Sequence, residues 1–398
     1  NIITRKTPKA FKASSQIGYG TDDAKEATAR IGGGIGDVRL SLSGGLYLLP
    51  RFDLTPNDGN LTTHGSEMND WHLDAKSEWK PSRRFSLTLG SRYESRSRKA
   101  IEENDSGGIF DRQQKGDFYD INLKSKYRSE SGIRTSGSIR ASYLRDQFVL
   151  DQRGSDVKDK YENSLLTLYQ TSIQTDIPLP KNHLLSVGID GIAESIDSPR
   201  VSTSDGCDES DKDCQYATRQ RGAVFAQDSY TPLVDPYLTI VVGTRGEYDS
   251  NFGFVNVPRI AVRYDPVESI KLRASVGRGY RAPTFKELYL QFDNPSVGYT
   301  VRGNPDLEPE ESMSYQVSAD WQAMPLLSMN ITGFRNDVDN LINFEQLESA
   351  SAMNALDRYR LTNVSSAYTQ GIQSEMVIGI PRITELRGGY QWLDTFDE

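Results

Sequence analysis

The sequence predicts an antiparallel transmembrane β-barrel with short turns at one end and long loops at the other. Three observations carry that prediction. Apolar and polar residues alternate with the strand period of two, tight turns alternate with long polar loops, and no run approaches the ~18 apolar residues a membrane helix needs. Composition agrees. The 398 residues are 36% hydrophobic with 33 Gly, 20 Tyr and 14 Phe, poor in Leu and Ile for a soluble core but rich in the aromatics of membrane interfaces.

Taken in order, residues 10–20 and 27–36 read as Gly- and Ser-containing strands joined by an acidic turn, and residues 38–48 follow after Gly36 and Asp37. A long polar loop leads to a strand over 71–79. A short turn then opens a strand with Phe85, Leu87, Leu89, Ser91 and Tyr93 on one face and Ser86, Thr88, Gly90, Arg92 and Glu94 on the other. After a polar loop over 97–117, Tyr119, Ile121, Leu123 and Tyr127 alternate with Asp120, Asn122, Lys124 and Lys126. Beyond the turn at 128–132, Ile133, Gly137, Ile139, Ala141 and Tyr143 alternate with Arg134, Ser136, Ser138, Arg140 and Ser142. Later tight turns fall at 178–182, 231–236, 264–269, 323–325 and 379–382, with loops at 148–164, 197–218, 249–255, 281–313 and 338–358.

Tight turns therefore gather at one end and long loops at the other, as short periplasmic turns and long external loops do in outer-membrane barrels. Counting hairpins gives about 17 strands. Apolar members face lipid and polar members the lumen, with Tyr93, Tyr127, Tyr143 and Tyr248 placed as girdle residues. The alternative is a soluble antiparallel sheet with one wet face, which shows the same alternation. The net charge of -9 argues against nucleic acid, whose phosphates want a basic stripe.

The stretch 278–312 is too rich in Pro, Gly and aromatics for a simple hairpin. It carries Arg281, Ala282 and Pro283, then Gly303, Asn304, Pro305, Leu307, Pro309, Glu310 and Ser312, and the next hairpin carries Gly333, Phe334, Arg335, Asn336, Asp337 and Val338. In this order these residues resemble the TonB-dependent outer-membrane receptors, and especially the cobalamin and ferric-siderophore receptors. The resemblance is close from Arg278 to Ile342; elsewhere only the hairpin rhythm supports it. It implies a barrel of about 22 strands in the outer membrane of a Gram-negative bacterium. It also implies TonB-energised uptake of a large scarce nutrient, cobalamin or a ferric chelate. Residues 1–6 resemble the end of that family's plug domain, leaving 7–398 as a partial barrel domain without the plug and its TonB-contacting box. A passive porin or surface adhesin is the alternative. The resemblance makes lumen residues Arg92, Lys124, Arg134, Arg140, Arg245 and Lys271 contacts of the plug or of the route.

Candidate site residues follow. Tyr280, Phe285, Tyr289, Phe292 and Tyr299, with Arg281, crowd this expected external loop and offer stacking area to a bulky ligand. The backbone-shaping Pro283, Gly303, Pro305 and Pro309 point instead to a role in loop structure. Cys207 and Cys214 are the only cysteines, close together, and read as a disulfide in an oxidising compartment. Asp205, Asp208, Asp211 and Asp213 in the same loop are a candidate Ca2+ set without the EF-hand spacing. Asp53 and Asp58 are a weaker one, suggested by the early acidic loops of cobalamin receptors. No HExxH, GxSxG or phosphate loop is present, and Arg281, Glu287 and Glu310 read as a rim salt-bridge group. No enzyme activity and no required cofactor are expected.

Overall fold

The computed structural model describes residues 7–54, 62–63, 65–103, 108–153, 160–203, 212–294, 299–348, 357–380 and 384–397. Among the described residues nineteen strands form one sheet. In chain order they are β1 (Lys12–Tyr19), β2 (Lys25–Ile35), β3 (Val38–Leu49), β4 (Glu67–Trp79), β5 (Phe85–Glu103), β6 (Ile109–Arg128), β7 (Arg134–Gln152), β8 (Lys160–Leu179), β9 (His183–Asp197), β10 (Tyr216–Val234), β11 (Tyr237–Asp249), β12 (Gly253–Val267) and β13 (Ile270–Arg281). Then follow a single-turn helix α1 (Phe285–Tyr289), β14 (Gln291–Asn294), β15 (Tyr299–Arg302), β16 (Glu310–Met324), β17 (Leu327–Glu348), β18 (Asp357–Ile380) and β19 (Thr384–Asp397). Each wall strand pairs antiparallel with the next, and β13 passes directly to β16. Setting aside β14 and β15, which lie within the seventh external loop, leaves 17 wall strands.

The tight turns fall at the expected end. Lys181 and Asn182 both have left-handed φ, 60° and 61°, in a three-residue turn that the Leu179–His183 pair closes. At the other end the strands run further than alternation predicted. The loops expected over 97–117, 148–164 and 338–358 are largely strand, because β5 reaches Glu103, β6 starts at Ile109, β7 reaches Gln152 and β17 reaches Glu348. Above a membrane both faces of a strand are wet, so the apolar period disappears while the hydrogen-bond ladder continues. Cross-strand ion pairs such as Arg112–Glu102 at 2.7 Å and Arg153–Asp111 at 2.8 Å replace it.

Register fixes the faces. Leu89 pairs with Leu123 and Leu123 with Ile139, and all three are exposed on the isolated chain. Above them an aromatic row crosses four strands: Trp71 to Tyr93 at 4.6 Å between ring centres, Tyr93 to Tyr119 at 4.5 Å, and Tyr119 to Tyr143 at 6.0 Å. Below them Trp79 meets Phe85 at 6.0 Å. Phe85 and Tyr93 are eight positions apart on one strand, which is ~27 Å along it and ~20 Å of height at barrel tilt. That separation matches the hydrocarbon band between two girdles. An exposed apolar belt bounded by aromatics rules out the soluble one-sided sheet, because such a belt needs lipid against it. The opposite face is polar and internally paired. Arg140 binds Asp120, Arg245 binds Asp190 and Glu247, and Ser138 meets Ser172 at 2.8 Å.

Candidate functional site

Among the described residues, the buried apolar clusters gather around the external stretch between β13 and β16. Pro283 is fully buried, and Thr284 caps α1: its Oγ1 accepts from the Glu287 amide at 3.3 Å while Glu287 Oε2 accepts from the Thr284 amide at 2.7 Å. The helix drives Phe285 and Leu288 inward. Phe285 joins Ile196, Val201 and Ala217 in one apolar cluster, Leu288 joins Leu307 and Leu361 in a second, and Tyr289 packs against both.

The segment then crosses the mouth. On one side the Gln291 amide donates to the Arg200 carbonyl and the Ser202 amide to the Tyr289 carbonyl, each at 2.8 Å. On the other, β15 pairs in parallel with the first residues of β18, Tyr299 to Asp357 through Arg302 to Arg360. The result is a crossbeam tied to the β9–β10 loop and to β18.

The family-like residues hold this beam together. A Cβ on Gly303 would lie 2.6 Å from backbone atoms of Leu288, Tyr289 and Leu290, so only glycine fits. Its amide donates to the Leu290 carbonyl at 2.7 Å. Asn304 Oδ1 accepts from the Asp306 amide at 3.1 Å and from Arg360 at 2.9 Å. Leu307 is 3% exposed. Glu310 accepts from Arg281 and from the Ile342 amide at 2.9 Å. The bond from Arg281 is the main cause that holds the Glu310 carboxyl below its ordinary range.

A second clasp was not legible in the sequence. Arg219 on β10 is 5% exposed. Its guanidinium pairs with Glu194, lies 3.9 Å from Asp249, donates to the Pro283 carbonyl at 2.5 Å and sits 5.4 Å over the Phe285 ring. Asp249 is 1% exposed and accepts from the Asn251 amide at 2.8 Å.

The six residues expected to meet ligand therefore divide. Phe285 is buried and packs the beam, Tyr289 is shared between the two clusters, and Arg281 is held by Glu310 and Glu287. Tyr280 sits beside Asp249; burial first, then that carboxylate, pushes its hydroxyl up to about 12. Phe292 and Tyr299 remain half-buried, 6.0 Å apart between ring centres. They belong to a longer row in which cations and rings alternate. Arg112 lies 5.7 Å from the Phe148 ring, Arg200 lies 5.4 Å from Phe148 and 5.7 Å from Phe292, and Tyr299 meets Tyr359 at 6.5 Å. Arg112, Phe148, Arg200 and Tyr359 carry no local motif. They come together only because β6, β7, the β9–β10 loop and β18 converge on the beam.

Residues 1–6, Asp58, Asp205, Cys207, Asp208 and Asp211 lie outside the described residues, and the Asp213 side chain is likewise not described. Asp53 is described and follows the bridge between Phe52 and Gly65.

An open-ended antiparallel wall with a lipid belt, two aromatic girdles, a polar lumen and a packed external beam defines an outer-membrane receptor barrel. The family model for TonB dependent receptor-like β-barrels matches residues 49–398, and the chain belongs to that family. It is 25% identical over 296 residues to the iron-regulated outer membrane virulence protein of Vibrio cholerae, covering 68% of this chain and 43% of that protein. It is 24% identical over 380 residues to the vitamin B12 transporter BtuB of Photobacterium profundum, covering 94% and 55%. The chain thus spans about half the length of the curated relatives it matches. Its fold superimposes on the siderophore receptor PirA of Pseudomonas aeruginosa with a TM-score of 0.77 at 14% identity, covering 100% of this chain and 68% of that one.

Proposed function

We propose that the protein takes up a bulky, scarce nutrient from outside the cell with energy delivered by TonB, and that its ligand is a ferric chelate. The observation that carries the choice of ligand is the row of alternating cations and rings at the mouth. Guanidinium groups offer planar donors to anionic chelating oxygens, and aromatic rings stack on flat organic ligands with few rotamers to freeze. Arg200 and Lys160 share a single carboxylate, Glu162, so this part of the row carries excess positive charge suited to an anion. Cobalamin uptake is the second reading, favoured by the extent of the match to BtuB. A passive porin is disfavoured by the family and by the beam across the mouth.

The acidic β9–β10 loop belongs to the same proposal. There Cys207 and Cys214 form a disulfide, and Asp205, Asp208, Asp211 and Asp213 are the Ca2+ candidates. No catalytic role is assigned to any residue.

Binding of a ferric tris-catecholate and of cyanocobalamin to the whole protein in detergent tests the choice. The ferric chelate is expected to bind, and Arg200→Glu with Phe292→Ala is expected to weaken it by about tenfold or more. Binding of cyanocobalamin alone would replace this reading with the second.

A further inference from the structure

The lipid face departs from its apolar pattern at the turn end of β9 and β10. Ile189, Val224 and Val242 are exposed on the lipid side, and register places Asp228 on that same face, across from Leu185 on β9 and Val242 on β11. His183, the first residue of β9, pairs with the exposed Leu179 on one side and with Tyr230 on the other, so it shares the face. A carboxylate facing lipid is costly unless it serves another group.

Asp228 serves the imidazole. Its Oδ2 lies 2.6 Å from His183 Nδ1, and the Tyr230 ring stacks on the imidazole at 4.1 Å between ring centres and 7° between planes. Asp228 Oδ1 is enclosed without a partner, which leaves the imidazole as the carboxylate's one ionic contact among the described residues. One nitrogen and one face of the His183 ring are thus taken, and about a third of the side chain, 31%, stays open. The adjoining turn is pinned to β10: the Thr231 amide donates to the Asn182 carbonyl at 3.0 Å, and Asn182 Nδ2 donates to the Thr231 carbonyl at 3.2 Å. Lys181 in that turn is exposed and has no ionic partner among the described residues. Depth follows from register. Tyr230 pairs with Ile240, eight positions below the girdle residue Tyr248 on β11, the same separation that sets Phe85 below Tyr93. His183 therefore stands at the lower edge of the hydrocarbon band, where headgroups begin.

We propose that His183 and Lys181 form a site for the phosphate of a phospholipid in the inner leaflet, on the outer surface of the barrel, with Asp228 and Tyr230 as positioning residues. In its imidazolium form His183 donates through Nδ1 to Asp228 and through Nε2 to a phosphate oxygen. Asp228 balances the charge of the ring from the deeper side, and the flexible stem of Lys181 brings a second cation to the same oxygens. The stack on Tyr230 fixes the plane of the imidazole, so the donor is aimed before lipid arrives. The phosphate comes from lipid because the site faces the bilayer at headgroup depth. The site is independent of the ligand taken at the mouth.

The test is native mass spectrometry of the whole protein in detergent, with phosphatidylglycerol as the probe and diacylglycerol of the same chains as the phosphate-free comparison. The parent is expected to hold one phosphatidylglycerol about tenfold more tightly than the K181Q/H183Q variant. Asp228→Asn is expected to weaken it by about threefold through loss of ring orientation, while diacylglycerol binds parent and variants alike. Arg83→Gln, an exposed cation in the β4–β5 turn, is expected to change nothing. Should K181Q/H183Q not fold, H183F/D228N, which keeps the ring stack but lacks Nε2, carries the same expectation. Equal retention of phosphatidylglycerol by parent and variant overturns the site. An equal loss in Arg83→Gln also overturns it, since net charge alone would then explain retention. Release of the lipid by excess inorganic phosphate overturns the assignment to lipid, because a free anion would then fill the site.

Discussion

Replacing Arg219 with Met is the sharpest test of how the external beam is held. Met keeps the apolar stem but removes the charge that faces Glu194 and Asp249, the donor to the Pro283 carbonyl and the cation over Phe285. The dominant cost is the stranded Asp249 carboxylate, 1% exposed. Breaking a buried pair by removing one partner costs about 3–5 kcal/mol. The Pro283 bond and the ring contact overlap with that cost rather than adding to it. Because the clasp sits at the external ends of β9, β10 and β11, the loss is local to that end. Exchange of the Leu288, Gly303 and Asn304 amides, which close the beam onto itself, is expected to speed up by about 100-fold or more, since ~1.4 kcal/mol is tenfold. Exchange in β5–β8 stays as in the parent. Adding Asp249→Asn removes the stranded charge and is expected to recover at least about half of the loss. Hydrogen exchange with mass spectrometry on the whole protein in detergent reads both variants. An increase under about threefold in Arg219→Met would refute the assignment of Arg219 as the clasp.

Gly303→Ala forces a methyl to within 2.6 Å of three backbone atoms; it should destabilise the beam by about 1–3 kcal/mol, seen as faster proteolysis within residues 285–307 of an intact barrel. Leu123→Lys places a charge midway between the girdles and should cost about 2–4 kcal/mol in denaturant titrations of refolding into vesicles, whereas Asn122→Lys, one residue away on the lumen side, should be near neutral. Glu310 has a lowered pKa, so its contribution is complete above the ordinary carboxylate range and is lost as pH falls through its lower folded value. Protease resistance of the beam should therefore be flat from about pH 7 to 5 and decline only below about pH 4. Peptide mapping without reductant should recover Cys207 and Cys214 in one linked species, and separate alkylated peptides would reject the disulfide.

Much of the wall was legible because lipid on one side and water on the other imprint the period of two on sequences such as 85–94 and 119–127. Where both sides are wet the imprint is lost, which is why strand at Ile109–Asp117 and Asp339–Glu348 read as loop. The beam was legible in part. Pro283, Gly303, Pro305 and Pro309 signalled a shaped backbone, and the aromatic cluster that includes Phe292 and Tyr299 signalled rings for a ligand. Phe285 could not be separated from them, because an aromatic in a loop looks the same whether it packs inward or waits for ligand. Arg219 and Arg200 were invisible for a different reason: their roles are set by register between strands far apart in sequence, and a lone arginine gives no hint of what lies across from it.

The strand order has a consequence for how this wall can be completed. Counting along the sheet, β1 and β19 are the first and seventeenth wall strands, and alternate strands run in opposite senses, so these two edges run the same way. Among the described residues no ladder joins them. Lipid does not tolerate unpaired edges, yet two strands of equal sense cannot pair antiparallel. An even number of additional strands therefore cannot close this barrel by antiparallel pairing; an odd number can. The parity of the wall makes any strand-deletion or strand-insertion variant a one-bit test. Changes of two strands preserve the closing geometry, while a change of one forces a parallel seam.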